Sequence, residues 1–219
     1  MISRLGVYGG MFDPVHNGHI KAACYARDLL ELEQVKLIPC KQPNHRSDAV
    51  ASPEHRVTML RLAIIDLSGL EIDTCELDRA GVSYAVDTLE YFHSQGIAEQ
   101  IVFVLGMDSF NTLTSWHRWE AVQNLCHLLV LPRANEMLDE ELADKLQLPT
   151  RMVDQPQKLF RQRSGCVYFD SEFSNTASSS QVRHTIDAHD DLTALLDRQV
   201  FDFIVENELY GYSSRDHIQ

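Results

Sequence analysis

Apolar positions along the chain follow two alternating rhythms. Four short runs, Leu5 to Tyr8, Val35 to Pro39, Ile101 to Leu105 and Leu128 to Leu131, have the length and composition of strands buried on both faces. Between them, apolar residues recur at helical spacing. Ile20, Ala23, Cys24, Ala26, Leu29 and Leu30 mark one helix face, and Val57, Leu60, Ala63 and Ile64 mark another within 53–65. Residues 83–94 read as a further helix with Ser83 as its N-cap, ending near Gly96. Glu71 to Leu77 reads as a third, less buried strand, and Val167 to Phe169 as a last short one. The stretch 133–165 is polar and irregular and reads as a variable insertion, whereas about 178–212 looks helical. Strands alternating with helices predict an α/β fold, a Rossmann-like doubly wound parallel sheet with a helical C-terminal region. At 219 residues the chain suits a single domain, 1–219.

The strand ends carry the next clue. The first run is followed by Gly9 to His19, the second by Pro39-Cys40-Lys41-Gln42-Pro43-Asn44-His45-Arg46, the third by Gly106-Met107-Asp108-Ser109, and the fourth by Pro132-Arg133. Polar residues often follow strands merely because loops face water. Four such endings on one edge, however, predict a ligand crevice, since open parallel sheets bind outside the carboxyl ends of their strands.

Composition narrows the partners. No apolar run approaches the roughly 20 residues needed to span a bilayer, and the chain opens directly on a strand, without the pattern of a signal peptide. Five scattered cysteines, Cys24, Cys40, Cys75, Cys126 and Cys166, suggest buried thiols of a reducing compartment, hence a cytoplasmic protein. The net charge of −13 argues against a nucleic-acid surface, which gains affinity from Lys and Arg. It leaves room for a small phosphorylated ligand held by local cations and helix N-termini. Small molecules are therefore the expected partners, with neither nucleic acid nor membrane; the oligomeric state stays open.

The segment from Gly9 to His19 joins a strand, a glycine turn and a helix start, a natural phosphate site. His16 and His19 stand three apart, so both can face one ligand. Their imidazoles can donate hydrogen bonds to phosphate oxygens and to charge developing on a leaving pyrophosphate. A Gly-Gly turn or a histidine pair alone is commonplace. His-x-x-His also looks like half of a metal site, but no second ligand cluster has suitable spacing, so no protein-held metal is expected. Near the C-terminus, Ser178-Ser179-Ser180-Gln181-Val182-Arg183 opens a helix, where a capping serine and a solvated arginine would be ordinary.

Together these segments carry a resemblance. Gly9-Gly10-Met11-Phe12-Asp13-Pro14-Val15-His16-Asn17-Gly18-His19 resembles the GGxFDPxHxGH signature of the HxGH nucleotidyltransferases, which transfer a nucleotidyl group from ATP or CTP. Residues 178–183 resemble that superfamily's SSTxxR motif, with Ser180 keeping the hydroxyl where threonine is common. Ser83 to Leu89, Gly106 to Ser109, Trp116 and Phe203 to Tyr210 are similar to bacterial nicotinate-nucleotide adenylyltransferases, so the match runs from Gly6 to Tyr210. The resemblance implies joining of ATP and nicotinate mononucleotide into nicotinate adenine dinucleotide and pyrophosphate, with Mg²⁺, in NAD biosynthesis. It implies catalytic roles for His16, His19 and Arg183. Gly9, Gly10, Phe12, Gly18, Asp108, Ser179 and Ser180 would join those three in holding ATP. Met11, Lys41, His45, Arg46, Tyr84, Ala85, Trp116 and Arg133 would hold the mononucleotide.

The residue types suit those roles. Tyr84 and Trp116 offer aromatic faces to a flat ring, although core packing explains them equally well. The helix start at Ala85 offers N–H groups to a carboxylate. Asp108 can accept from a ribose hydroxyl. The chain departs from the family pattern at Ala85, often threonine, at Asn44, often proline, and at Arg133-Ala134-Asn135, often Arg-Pro-Gly. Phosphopantetheine adenylyltransferase is distinctly shorter and usually has threonine where His16 stands. Cytidylyltransferases are shorter still and offer no counterpart of the Tyr84 and Trp116 region. A non-catalytic nucleotide-binding protein is the alternative from another class. The degree of preference for nicotinate over nicotinamide mononucleotide stays open, as does the choice of basic residues for its phosphate.

Overall fold

The computed structural model describes residues 3–41, 49–133, 136–188 and 192–212. Its centre is a six-stranded sheet built of β1 Arg4–Gly10, β2 Gln34–Pro39, β3 Leu70–Ile72, β4 Gln100–Gly106, β5 His127–Leu131 and β6 Val167–Phe169. The spatial order is β3-β2-β1-β4-β5-β6, with every neighbouring pair parallel. Strand order reverses between β1 and β4, which places the topological switch point at their carboxyl ends.

Helices cover both faces. They are α1 Asn17–Leu30, α2 Pro53–Ile64, α3 Cys75–Asp78, α4 Ala85–Ser94, α5 Met107–Phe110 and α6 Trp119–Leu125. There follow α7 Glu140–Lys145, α8 Leu148–Arg151, α9 Ser179–Asp187 and α10 Arg198–Glu206. Alternate residues of each strand point to opposite sides of the sheet. Val102 and Val104 of β4 join one apolar cluster with Ala22, Ala23 and Ala26 of α1, Met59 and Leu60 of α2, Val182 of α9 and Ile204 of α10. Ile101, Phe103 and Leu105 of the same strand join the other, with Val86, Leu89 and Phe92 of α4 and Val122 of α6. Gly6 is needed where β1 meets β2, because a Cβ there would lie 2.7 Å from Val35 Cγ2 and 2.9 Å from Leu32 Cδ1.

The structure corrects three expectations. The third strand stops at Ile72, and 75–78 is the helix α3 rather than a continuation. Asp73 makes the break: its Oδ1 accepts the Cys75 N–H (3.1 Å) and its Oδ2 accepts Lys36 Nζ (2.9 Å), an aspartate turn in place of a ladder. Ser83 does not cap the next helix. Tyr84 occupies the cap position without a side-chain bond, and the Ser83 hydroxyl accepts the Lys41 N–H instead (3.0 Å). Residues 136–165 are not an irregular insertion: α7, α8 and a 3-10 turn at Pro156–Arg161 bury Leu142, Leu146, Leu148 and Leu159 in the core. The helical C-terminus takes the form of α9, α10 and a final 3-10 turn, Leu209–Gly211. None of the five cysteines is joined in a disulfide; Cys126 and Cys166 are buried and the other three half-buried. Among the described residues no helix is long and apolar enough to cross a membrane.

Candidate active site

At the carboxyl ends of β1 and β4 the sheet opens into a cleft of about 280 Å³. Gly9 and Gly10 of β1 and Leu105 and Gly106 of β4 line its base, with His16, Gly18 and His19 at the start of α1 on one side. Tyr84, Ala85, Trp116, Asp108, Arg133 and Ser179 complete most of the wall. Residues scattered over 170 positions of sequence are thus brought to the edge that strand order designates.

The loop between β1 and α1 is built to hold two imidazoles. Phe12 adopts the left-handed region (φ 50°), rare for a side-chain-bearing residue, and its ring is buried. The ring stands edge-on to His19 at 5.0 Å and to Tyr8 at 5.9 Å. His16 is the N-cap of α1, and its backbone N–H donates to His19 Nδ1 (3.2 Å). With Nδ1 accepting, the proton of the neutral His19 ring resides on Nε2, which is thereby a donor. The two rings stack at 3.7 Å with 26° between planes. His16 is almost wholly buried, and neither of its ring nitrogens has a hydrogen-bond partner. Burial, and then the charge of Arg133, lowers its pKa from 6.5 to about 4, so the ring is neutral at pH 7. A buried imidazole left unpartnered is costly, and a ligand oxygen would relieve that cost.

The start of α9 is stitched to the same loop. Ser178 caps the helix by accepting the Gln181 N–H (3.1 Å). The Ser179 hydroxyl donates to the Pro14 carbonyl (3.0 Å), and Arg183 Nη1 donates to the Asp13 carbonyl (2.6 Å) while Nη2 reaches Ser180 Oγ (3.4 Å). Across the cleft Asp108 and Arg133 form a half-buried ion pair at 3.5 Å, and Arg133 Nη1 also donates to the Ala177 carbonyl (3.2 Å). The structure therefore seats Arg133 between Asp108 and the segment leading into α9.

The far end of the cleft is aromatic. Tyr84 and His117 lie ring to ring at 4.4 Å, and Trp116 packs edge-on against Phe103 at 5.9 Å. Lys41 stands at the end of β2 with its Nζ donating to the Arg79 carbonyl (3.0 Å). His45 and Arg46 lie outside the described residues. Among the lining residues that escaped the sequence reading are Glu76, His117, Phe173 and Asn175. Glu76 was hidden in the stretch read as a strand. It is buried, accepts from Thr88 Oγ1 (2.7 Å), and its carboxyl pKa is raised by burial. Asn175 abuts Gly18, whose added Cβ would fall 2.8 Å from its Cγ and Oδ1; the glycine inside the histidine motif was the only sign of it. Among the described residues no three His, Cys, Asp or Glu side chains group as a metal cage.

Comparison with known proteins fits this geometry. Residues 7–185 match the cytidylyltransferase-like family. A Methylococcus capsulatus protein named "Probable nicotinate-nucleotide adenylyltransferase" is 38% identical over 210 residues, 94% of this chain and 99% of that one. The chain belongs to the nicotinate-nucleotide adenylyltransferase family. A Hahella chejuensis member of the same name is 38% identical over 95% of this chain and 96% of its own. The fold is shared more widely. Plasmodium falciparum nicotinic acid mononucleotide adenylyltransferase, solved in complex with NaAD, superposes with a TM-score of 0.75 at 18% identity, covering 96% of this chain and 98% of that one.

Proposed function

We propose that this chain transfers the adenylyl group of MgATP to nicotinate mononucleotide, releasing pyrophosphate, as a step of NAD biosynthesis in the cytoplasm. The observation that carries this reading is the buried, unpartnered His16 at the helix start, stacked on His19 and facing a cleft whose other end is aromatic. The triphosphate would lie along the glycine turn and the starts of α1 and α9, against His16, His19, Ser180 and Arg183, with the ribose at Asp108. Arg133, seated between Asp108 and Ala177 and close enough to His16 for its charge to act on that ring, would offer its guanidinium to the phosphate of the mononucleotide. The pyridine ring would stack between Tyr84 and Trp116, with its carboxylate toward the N–H groups at the start of α4. The whole chain, 1–219, acts as one nucleotidyltransferase domain, because α9 reaches back to the loop after β1.

The reaction is direct in-line attack by a mononucleotide phosphate oxygen on the α-phosphorus of ATP. The O–P bond to NaMN forms as the bond to pyrophosphate breaks, and the electron pair leaves with pyrophosphate. A phosphate monoester is anionic near pH 7, so the step needs no general base; positioning and charge stabilisation suffice. The neutral His19 Nε2–H, His16 and Arg183 stabilise charge on the departing group. Mg²⁺, as part of the MgATP substrate, would supply charge that offsets the phosphates, while His16, His19 and Arg183 would hold the phosphate oxygens from the protein side. The test is pyrophosphate release with MgATP and each of three acceptors. Release with nicotinate mononucleotide far above nicotinamide mononucleotide and phosphopantetheine is expected. Comparable release with both pyridine nucleotides would overturn the acid preference, and silence with all three would overturn the enzyme reading.

A further inference from the structure

Asp13 ties the histidine loop to parts of the chain that the motif does not include. Its buried carboxylate accepts the N–H groups of Val50 (2.7 Å) and Ala51 (3.0 Å), just before α2, and the hydroxyl of Tyr210 (2.8 Å), 197 residues away. Its carbonyl holds Arg183. Two residues earlier, the Met11 carbonyl accepts Nη1 of Arg56 (2.7 Å), a fully buried arginine whose Nε and Nη2 have no partner. Four residues after Asp13, the Asn17 N–H donates to the Leu195 carbonyl (2.8 Å). The loop is thus fixed from α2, α9 and the C-terminal segment together.

Tyr210 is the distinctive member of this set. It is buried and sits in the left-handed region (φ 58°, ψ 30°), a conformation that side-chain-bearing residues hold only where their surroundings impose it. Packing alone would be served by a phenylalanine. The hydroxyl instead supplies the third donor to a carboxylate whose own backbone carbonyl orients Arg183, with His16 three residues on. We infer that Tyr210 is a positioning residue: through Asp13 its hydroxyl sets where Arg183 and His16 stand over the phosphates of ATP. This rests on the adenylyl-transfer reading.

The experiment compares Tyr210→Phe, Arg183→Lys and the double variant for kcat, for KM of each substrate, and for MgATP affinity by calorimetry. Tyr210→Phe should stay folded, bind MgATP about 3- to 10-fold more weakly and lose kcat by a similar factor, as fits one charge-assisted hydrogen bond. KM for nicotinate mononucleotide should stay put. The double variant should be no worse than Arg183→Lys alone, since both act through one joint. Kinetics and affinity within twofold of the parent would overturn the inference. So would losses that multiply, or an equal rise in both KM values, which would mark general loosening. Where Tyr210→Phe does not fold, Asp13→Asn takes its place with the same ATP-selective loss expected and the same overturning results. A parent protein that binds MgATP but releases no pyrophosphate would refute the reaction, while the affinity comparison would still decide the role of Tyr210. A parent that binds no MgATP would refute both.

Discussion

Binding of ATP should draw a proton onto His16. In the free protein its pKa is lowered from 6.5 to about 4 by burial and by Arg133. That depression corresponds to about 3 kcal/mol disfavouring the charged ring. A phosphate oxygen within hydrogen-bond reach of either nitrogen acts in the opposite direction, favouring imidazolium. Suppose the anion only restores the ordinary value. At pH 5.5 the protonated fraction then rises from about 3% to about 90%, an uptake of about 0.9 proton per ATP bound. At pH 7.5 the same shift yields only about 0.1, so the effect belongs to the acid limb. Calorimetric titration with MgATP at pH 5.5, in buffers of different ionisation enthalpy, reads the uptake from the slope of observed against buffer enthalpy. His16→Asn serves as the control that removes protonation of the nucleotide itself. Equal slopes for the parent and His16→Asn at pH 5.5 would refute both the ring's burial as a neutral group and its contact with phosphate.

Three further outcomes are expected. His19→Ala should lower turnover on the order of 10²-fold with a smaller change in nucleotide binding, because its donor acts most on charge that develops in the transition state; near-normal turnover would sink the assignment. Gly18→Ala should destabilise by about 1–3 kcal/mol and weaken ATP binding, since the new methyl displaces Asn175 from its two bonds with Ala177 (both 3.3 Å); an unchanged unfolding midpoint counts against it. His127, fully buried at the start of β5, also has its pKa lowered to about 4 by burial. The unfolded state takes up that proton first, so this contribution is complete above pH 6.5 and falls as pH drops toward 4, by about 2 kcal/mol at pH 5. His127→Leu should flatten the fall between pH 7 and pH 5 in thermal unfolding, even if it lowers stability overall, and an unaltered slope would disprove it.

The parts that were legible in the sequence share a physical cause. Strands β4 and β5 are buried on both faces, so their apolar runs are continuous and their ends nearly unmistakable. The edge strand β3 has three residues and half-exposed positions, and only the aspartate turn at Asp73 decides where it stops. Reading through that turn concealed Glu76. Leu142, Leu146, Leu148 and Leu159 lie in or at the end of short helices separated by turns, too brief for periodicity to accumulate, so their segment passed for a surface insertion. In the site, the glycine turn and the two histidines are local chemistry, visible wherever strand, turn and helix start adjoin. The contacts of Arg133 with Asp108, of Asn175 with Gly18 and of Tyr210 with Asp13 are tertiary, made across 25 to 197 residues, and nothing in the neighbouring sequence announces them.

An acidic protein that must bind anions faces a particular difficulty, and the cleft shows how local structure overrides net charge. With a formal charge of −13, the long-range field opposes a triphosphate. Pairing the site's cations with carboxylates would hold them in place but also neutralise them. Here Arg183 is held by the carbonyl of Asp13 and a serine hydroxyl, and Lys41 by the carbonyl of Arg79. A carbonyl dipole orients a cation without cancelling its charge. The carboxylate of Asp13 is turned the other way, toward two backbone N–H groups and the Tyr210 hydroxyl, where its charge is satisfied before a ligand arrives. Arg133 is the exception, paired with Asp108, and that pair is half-exposed and 3.5 Å apart. In the proposed complex, a ribose hydroxyl donating to Asp108 would compete with this long pair and leave more of the guanidinium's charge available. One residue, Asp13, thus presents its carbonyl to the Arg183 guanidinium and its charge to the scaffold on the other side.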